Sequence, residues 1–264
     1  MRNKFIHSSA IIEPGAKMAE DVIVGPMSYI GSNVVLNSGV HIKSHVVVTG
    51  KTEIGKDTII FPFAVIGEIP QDLKFNGEQT SLRIGKRNQI REHVTINTGT
   101  VGGGGLTSIG NDCLFMTGSH VAHDAKIGDK VIVANCGAVA GHCIIEDDVI
   151  IGGLSGIHQF VRIGRGAIIG AVTMVANDVI PFGLVQGPRG KLDGLNLIGL
   201  KRKGVDRQEI TSLRAAFQTL AQGDGTFQDR AKKLKQETDS KYVEYITSFI
   251  LGVSDRSFLT PGDF

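Results

Sequence analysis

Tryptophan is absent and aromatic residues make up only 6% of the 264 residues, so a core built on large rings is excluded. Three cysteines, an odd number, argue against a paired disulfide framework. No apolar run approaches the length of a membrane span. A net charge of +2 gives no support to general nucleic-acid binding. The opening stretch, Met1 to His7, contains no signal-peptide hydrophobic region, which predicts a cytoplasmic protein.

What the chain has in quantity is glycine, 35 residues, and a rhythm. An apolar residue recurs at every sixth position: Ile6, Ile12, Met18, Val24, Ile30, Leu36, and onward through Ile60 and Ile66 to Ile84, Ile90 and Ile96. After a one-residue phase shift it resumes at Ile109 and Phe115 and runs to Val175. Four residues after most of these sites stands a small or β-branched residue, such as Ala16, Ser28, Thr52, Ala125 or Ser155. Neither a helix nor a plain strand gives period six. A short strand and a turn do, and three such sides close one coil of a parallel β-helix. Repeated corners, where a positive φ is cheap for glycine, account for the glycine content. Cys113 and Cys143 fall in small-residue slots and are expected to be buried spacers.

The predicted solenoid occupies residues 1–185, with loop insertions at 67–83 and 101–108, and residues 186–264 form a linker and an α-helical domain. The first insertion keeps the register and the second supplies the phase shift. Its run of four glycines suggests a mobile flap, since no P-loop lysine follows. Pro181 ends the repeat. Asp206 and Glu209 have the spacing of a capping box, ahead of the stripe Ile210, Leu213, Phe217 and Leu220. Further amphipathic helices are expected over 226–237 and 240–251, where they could cap the open end of the solenoid. From Arg189 to Lys241 there are twelve Lys and Arg against seven Asp and Glu, a basic surface centred on Lys201-Arg202-Lys203.

With eighteen residues per coil, positions eighteen apart stack at strand spacing, about 4.8 Å. His123, Gly141 and Gln159 therefore form one column, and Asp124, His142 and Phe160 the next. His120 and His158 lie beside them, so four of the eight histidines gather on three coils. A neutral imidazole suits removal of a hydroxyl proton. A glycine amide one coil away suits an oxyanion, provided that no sheet hydrogen bond consumes it. Together they describe acyl transfer. Asp124 can orient His123 only if the chain turns between them, because neighbours on a strand face opposite ways. Spacings of 3, 19 and 16 match no H-E-x-x-H or Cys/His zinc pattern.

The segments Gln71-Asp-Leu-Lys74, Ile90-Arg-Glu-His-Val-Thr-Ile96, His120-Val-Ala-His-Asp124, Ala140-Gly-His142, Ile157-His-Gln-Phe160 and Gly199-Leu-Lys-Arg-Lys-Gly204 closely resemble the UDP-N-acetylglucosamine O-acyltransferases of lipid A biosynthesis. The resemblance implies a left-handed β-helix, assembled as a homotrimer with active sites in clefts between subunits. It implies no metal and no cofactor, the acyl-acyl carrier protein being a co-substrate. His123 would be the general base, oriented by Asp124, with the Gly141 amide as oxyanion donor. Asp72, Lys74, His120, His142 and Gln159 would contact the sugar nucleotide and His158 would line the site. Asn196 and Arg202 would hold the nucleotide and its phosphates. The basic tail suits an acidic carrier protein.

One position departs from the family pattern. Members read Asn-x-Glu-Gly-Leu-Lys-Arg-Arg where this chain has Asn196-Leu-Ile198-Gly-Leu-Lys-Arg202-Lys203, so the contact made through that Glu does not transfer. Competing readings are a sister N-acyltransferase of the 3-O-acylated nucleotide, a zinc-dependent carbonic anhydrase-like solenoid, and an inert scaffold. The first is disfavoured by a repeat that starts at Ile6, leaving no room for the N-terminal domain of those enzymes. In the column Asn135, Gly153 and Ala171, either Ala171 or the nearby Met174 is a candidate limit to an acyl groove.

Overall fold

The computed structural model describes residues 5–261. Short extended segments, mostly two residues long and ending on an inward apolar side chain, stack into three parallel sheets. The first face has eleven strands, the second nine and the third eight. Successive strands pass to successive faces, and the coils wind as a left-handed parallel β-helix, opposite to the usual crossover rule. In regular coils the partners are eighteen residues apart, as in Ile132 with Ile150 and Ile150 with Ile168. Pairing survives both insertions: Ile60 meets Ile90, and Ile90 meets Phe115.

The sixth-position residues are the core. Ile42, Ile60, Ile90, Phe115, Val133 and Ile151 are completely buried. Cys113 and Cys143 are buried in the spacer columns, where desolvation pushes both thiols up to about 12. Neither offers a thiolate at neutral pH. At the corners, sixteen non-glycine residues adopt left-handed φ, a conformation that L-residues ordinarily avoid. Both insertions leave from the corner between the second and third faces. One links Val65–Glu68 to Ser81–Ile84, and the other links Thr95–Asn97 to Leu106–Ile109.

The region expected to be a linker is more ordered than its composition suggests. Gly183–Gln186 joins the first face in parallel with Ile168–Ile169, and Lys191–Leu195 returns antiparallel to it. The hairpin carries that sheet past residue 185. A short helix follows, α1 (Leu197–Arg202), too brief to leave a helical stripe in the sequence. The three amphipathic segments form α2 (Arg207–Ala221), α3 (Phe227–Glu237) and α4 (Lys241–Leu251). Asp206 caps α2 by accepting from the Gln208 amide at 2.7 Å. The expected capping box with Glu209 does not form, because Glu209 accepts instead from the hydroxyl of Ser240, the N-cap of α4. A tertiary contact thus replaces the local one.

Nor does α4 sit over the open end of the prism. It packs along the third face, where the Tyr245 hydroxyl donates to Glu146 at 2.8 Å and the Phe249 ring covers the Arg162 guanidinium at 4.6 Å. Arg162 is in turn paired with fully buried Asp178 at 2.7 Å, which fixes the cation that Phe249 of α4 packs against. Core packing sets the first expected outcome. Ile151→Ala, in the middle of the prism, should cost about 2–5 kcal/mol in urea unfolding; a loss below about 1 kcal/mol would contradict a close-packed column.

Candidate active site

His120 stands on the second face in the strand His120–Val121, and the chain then turns toward the third face. The turn places Asp124 at φ 59°. This left-handed residue breaks the alternation that would have pointed His123 and Asp124 apart. The His123 Nδ1 lies 2.8 Å from Asp124 Oδ2, and both residues are buried. With Asp124 ionised, Nδ1 carries the proton and Nε2 keeps its lone pair.

One coil on, Gly141 lies directly against that ring. A Cβ at Gly141 would come within 2.6 Å of His123 Cε1 and 2.8 Å of Nε2, so only glycine fits. Its carbonyl accepts from the Phe160 amide at 3.1 Å, whereas its own N–H has no backbone acceptor among the described residues. The condition set by the sequence, an amide left free by the sheet, is met. His142 stacks flat on Phe160, with centroids 4.4 Å apart, and meets His123 edge-on at 5.0 Å. The three rings follow the column register.

The surrounding residues fall into two groups. His120 is bonded to the Thr95 hydroxyl at 2.7 Å. Asp72, in the first insertion, is close enough for its charge to act on His142, while exposed Lys74 donates its amide to Asp72 Oδ1 at 3.0 Å. His158 and Gln159 are exposed at the same corner, and Arg256 from the C-terminal segment grips both. Its guanidinium meets His158 Nδ1 at 2.7 Å and the Gln159 carbonyl at 3.1 Å. Arginine only donates, so Nδ1 of His158 accepts and its proton sits on Nε2.

Asn196 and Arg202 are not brought to this corner. Asn196 donates to the Gly166 carbonyl at 2.9 Å and caps α1; Gly166 lies at the corner between the third and first faces. Arg202 is exposed on α1, as is Ile198, and Lys203 pairs with Asp148. Within one chain these residues belong to a different edge of the prism from His123. Ala171 and Met174 are both exposed.

Three residues of the site escaped sequence reading. Thr95 precedes His120 by 25 positions, one coil plus the second insertion, so adding the phase shift would have found it. Thr100 binds Asp124 from inside an insertion, and Arg256 comes from far along the chain; neither has a periodic signal. One ligand atom each from His123, Asp124 and His142 lies within 4.8 Å of the others. However, both oxygens of Asp124 already accept hydrogen bonds, from Thr100 and His123.

A hexapeptide prism that sets a buried imidazole–carboxylate couple against a glycine amide defines a hexapeptide-repeat acyltransferase. The bacterial transferase hexapeptide profile matches residues 106–141, and that of UDP-N-acetylglucosamine O-acyltransferase, domain 2, matches residues 178–259. An acyl-[acyl-carrier-protein]–UDP-N-acetylglucosamine O-acyltransferase of Rhizobium johnstonii is 45% identical over 97% of this chain and 94% of its own. One of Paracoccus denitrificans is 64% identical over 77% of each. Solved acyltransferases for the same nucleotide sugar from Campylobacter jejuni and Francisella novicida superpose with TM-scores of 0.92 and 0.93, at 36% and 34% identity. They cover 97% of this chain in both cases, and 100% and 94% of theirs. The chain belongs to the UDP-N-acetylglucosamine O-acyltransferase family.

The site makes a prediction about protons. Burial is the main cause lowering both His120 and His142 from the ordinary 6.5; the neighbouring His123 lowers both as well, while Asp124 and Asp72 partly offset this at His142. Below pH 6.5 the unfolded chain therefore binds protons that the folded one resists, and stability falls as the pH drops until the folded values are passed. Histidine C2-proton NMR should give midpoints under 6.5 for both rings; a midpoint at or above 6.5 for His120 would contradict the effect of burial.

Proposed function

We propose that this chain catalyses the reaction for which its relatives are named, moving an acyl group from acyl carrier protein to the 3-hydroxyl of UDP-N-acetylglucosamine, the first step of lipid A biosynthesis. The observation that carries the mechanism is the His123–Asp124 couple pressed against a glycine whose amide is free. His123 Nε2 takes the proton of the sugar hydroxyl while Asp124 holds Nδ1–H and stabilises the imidazolium. The sugar oxygen attacks the thioester carbonyl. Negative charge builds on that carbonyl oxygen, where the Gly141 N–H meets it. The tetrahedral intermediate collapses with loss of the carrier thiolate, which takes the proton from Nε2. Ester and thiol leave, and the base is regenerated without any cofactor or metal.

Asp72, Lys74, His120, His142, His158 and Gln159 would hold the sugar end of the nucleotide beside the couple. The proposed nucleotide-binding pair, Asn196 and Arg202, lies on another edge, so it would have to come from a neighbouring copy. That supports the homotrimer implied by the resemblance. Apolar side chains at two places along the corner between the first and second faces favour association too. Met27 and Phe63 flank His45 near one end and Leu154 and Val172 stand on adjacent coils near the other, each more than half exposed, and exposed apolar surface of this kind suits a contact with another copy. Three unpaired cysteines, with Cys136 exposed, suit a reducing cytoplasm. No helix among the described residues is long and apolar enough to cross a membrane. Exposed Lys201 and Arg202 offer charge to an acidic carrier protein.

His123→Ala should lose at least about 1000-fold in turnover, within the range expected when a nucleophile's base is removed, while remaining folded. Full activity in a folded variant would remove the assigned base. The shared site has its own test. Co-expressed His123→Ala and Arg202→Ala chains should recover roughly a quarter of wild-type sites by random mixing in a cyclic assembly. Failure to exceed either single variant, or a monomer by light scattering, would contradict a site built between copies.

A further inference from the structure

The glycine-rich insertion, expected to be a flap, is folded onto the catalytic carboxylate. Val101–Gly103 form one turn of 3-10 helix with Thr100 as N-cap. The Thr100 N–H donates to Asp124 Oδ1 at 2.9 Å and its hydroxyl donates to Oδ2 at 2.6 Å. That hydroxyl accepts in turn from the Gly103 amide at 3.3 Å. A Cβ on Gly103 would crowd the carboxylate, falling 2.0 Å from Asp124 Cγ, and one on Gly99 would fall 2.8 Å from Oδ1. The Asp124 amide donates to the Thr107 hydroxyl at 2.8 Å, on the strand that leaves the loop. The loop is itself anchored to the strand after the first insertion, through Ser81 N–H to Gly105 O at 2.8 Å and Gly99 N–H to Ser81 O at 3.2 Å.

We infer that Thr100 is a positioning residue for the reaction, and that the insertion clamps Asp124 in the one rotamer that faces His123. The inference rests on His123 being the base. Asp124 is a short side chain on a tight left-handed turn, and its χ1 has three staggered wells. Only one of them points Oδ2 at the imidazole. Thr100 selects it by bonding both oxygens, its hydroxyl sharing Oδ2 with the imidazole, and the bare Cα atoms of Gly99 and Gly103 let the loop close that tightly. Small displacements of a catalytic group are costly, since the base must meet the hydroxyl within hydrogen-bond reach. Thr100 reaches the substrate only through this chain of contacts, so its loss should fall on the chemical step and leave substrate binding alone.

The test is steady-state kinetics with UDP-N-acetylglucosamine and an acyl carrier thioester on Thr100→Val, Thr100→Ser and Gly103→Ala, beside His123→Ala. Thr100→Val removes the hydroxyl donor and should lower kcat about 10- to 100-fold, the scale of a misplaced catalytic group, with KM for the nucleotide sugar within about threefold. Thr100→Ser keeps the donor and should recover most of kcat. Gly103→Ala, which crowds the carboxylate, should show the same split, and it keeps the inference testable if Thr100→Val fails to fold. A normal kcat in Thr100→Val, or an equal loss in Thr100→Ser, beside an inactive His123→Ala, would overturn the clamp alone. Turnover surviving in His123→Ala would overturn the base and the clamp together.

Discussion

The molecule depends on the hydrogen-bond ladder that holds each coil eighteen residues above the last. The His142 amide donates to the His123 carbonyl at 3.0 Å and the Phe160 amide to the Gly141 carbonyl at 3.1 Å. These are ordinary links between coils, yet they also set the distance from the proposed base, His123, to the proposed oxyanion donor at Gly141. A strand pair so short is weak alone. Nine or more stacked strands on each of two faces, with Ile, Val and Leu filling the axis, make the register cooperative. Slipping the register by a single residue would move every apolar side chain off the axis.

The corners bear the strain of that register. Left-handed φ at Val172, Leu154 or Phe63 is unfavourable for an L-residue, most of all for a β-branched one. Local propensity does not choose it; the closed ladder imposes it. At Asp124 the same geometry is put to use, because a left-handed turn is what lets consecutive residues face each other. Backbone strain at a functional position is thus supplied by the fold's general rule, with no special distortion needed.

The sequence was informative where chemistry follows the period. Ile90 and Ile151 in the core, the column His123–Gly141–Gln159, and the buried thiols of Cys113 and Cys143 could all be placed by counting. Counting fails wherever the chain leaves the coil. The hairpin Gly183–Gln186 with Lys191–Leu195 looked like a linker, since its glycines masked a strand pattern. Glu209 had the spacing of a capping box, but Ser240 claimed it. Thr100 and Arg256 act on Asp124 and His158 from an insertion and from the tail, and nothing in their spacing announces a partner. The glycines around Thr100 read as freedom, whereas Gly103 is small because a carboxylate occupies the space its side chain would need.

A convex prism has a further consequence for chemistry. Its three corners point away from one another, and no loop among the described residues carries Asn196 or Arg202 round to the edge that holds His123. A single protomer therefore presents a base without the proposed phosphate contacts on one edge, and those contacts without a base on another. Long flexible arms could join them, at the cost of ordering those arms each time substrate binds. Rotational symmetry offers a cheaper solution, since turning one rigid copy about an axis brings one kind of edge to the other and repeats the contact at every interface. If Asn196 and Arg202 hold the nucleotide, the solenoid's rigidity, which fixes His123 against Gly141, would also call for a second copy. The proposed trimer would then be part of the site's geometry, with the exposed apolar side chains of the first-to-second corner as candidate contact surface.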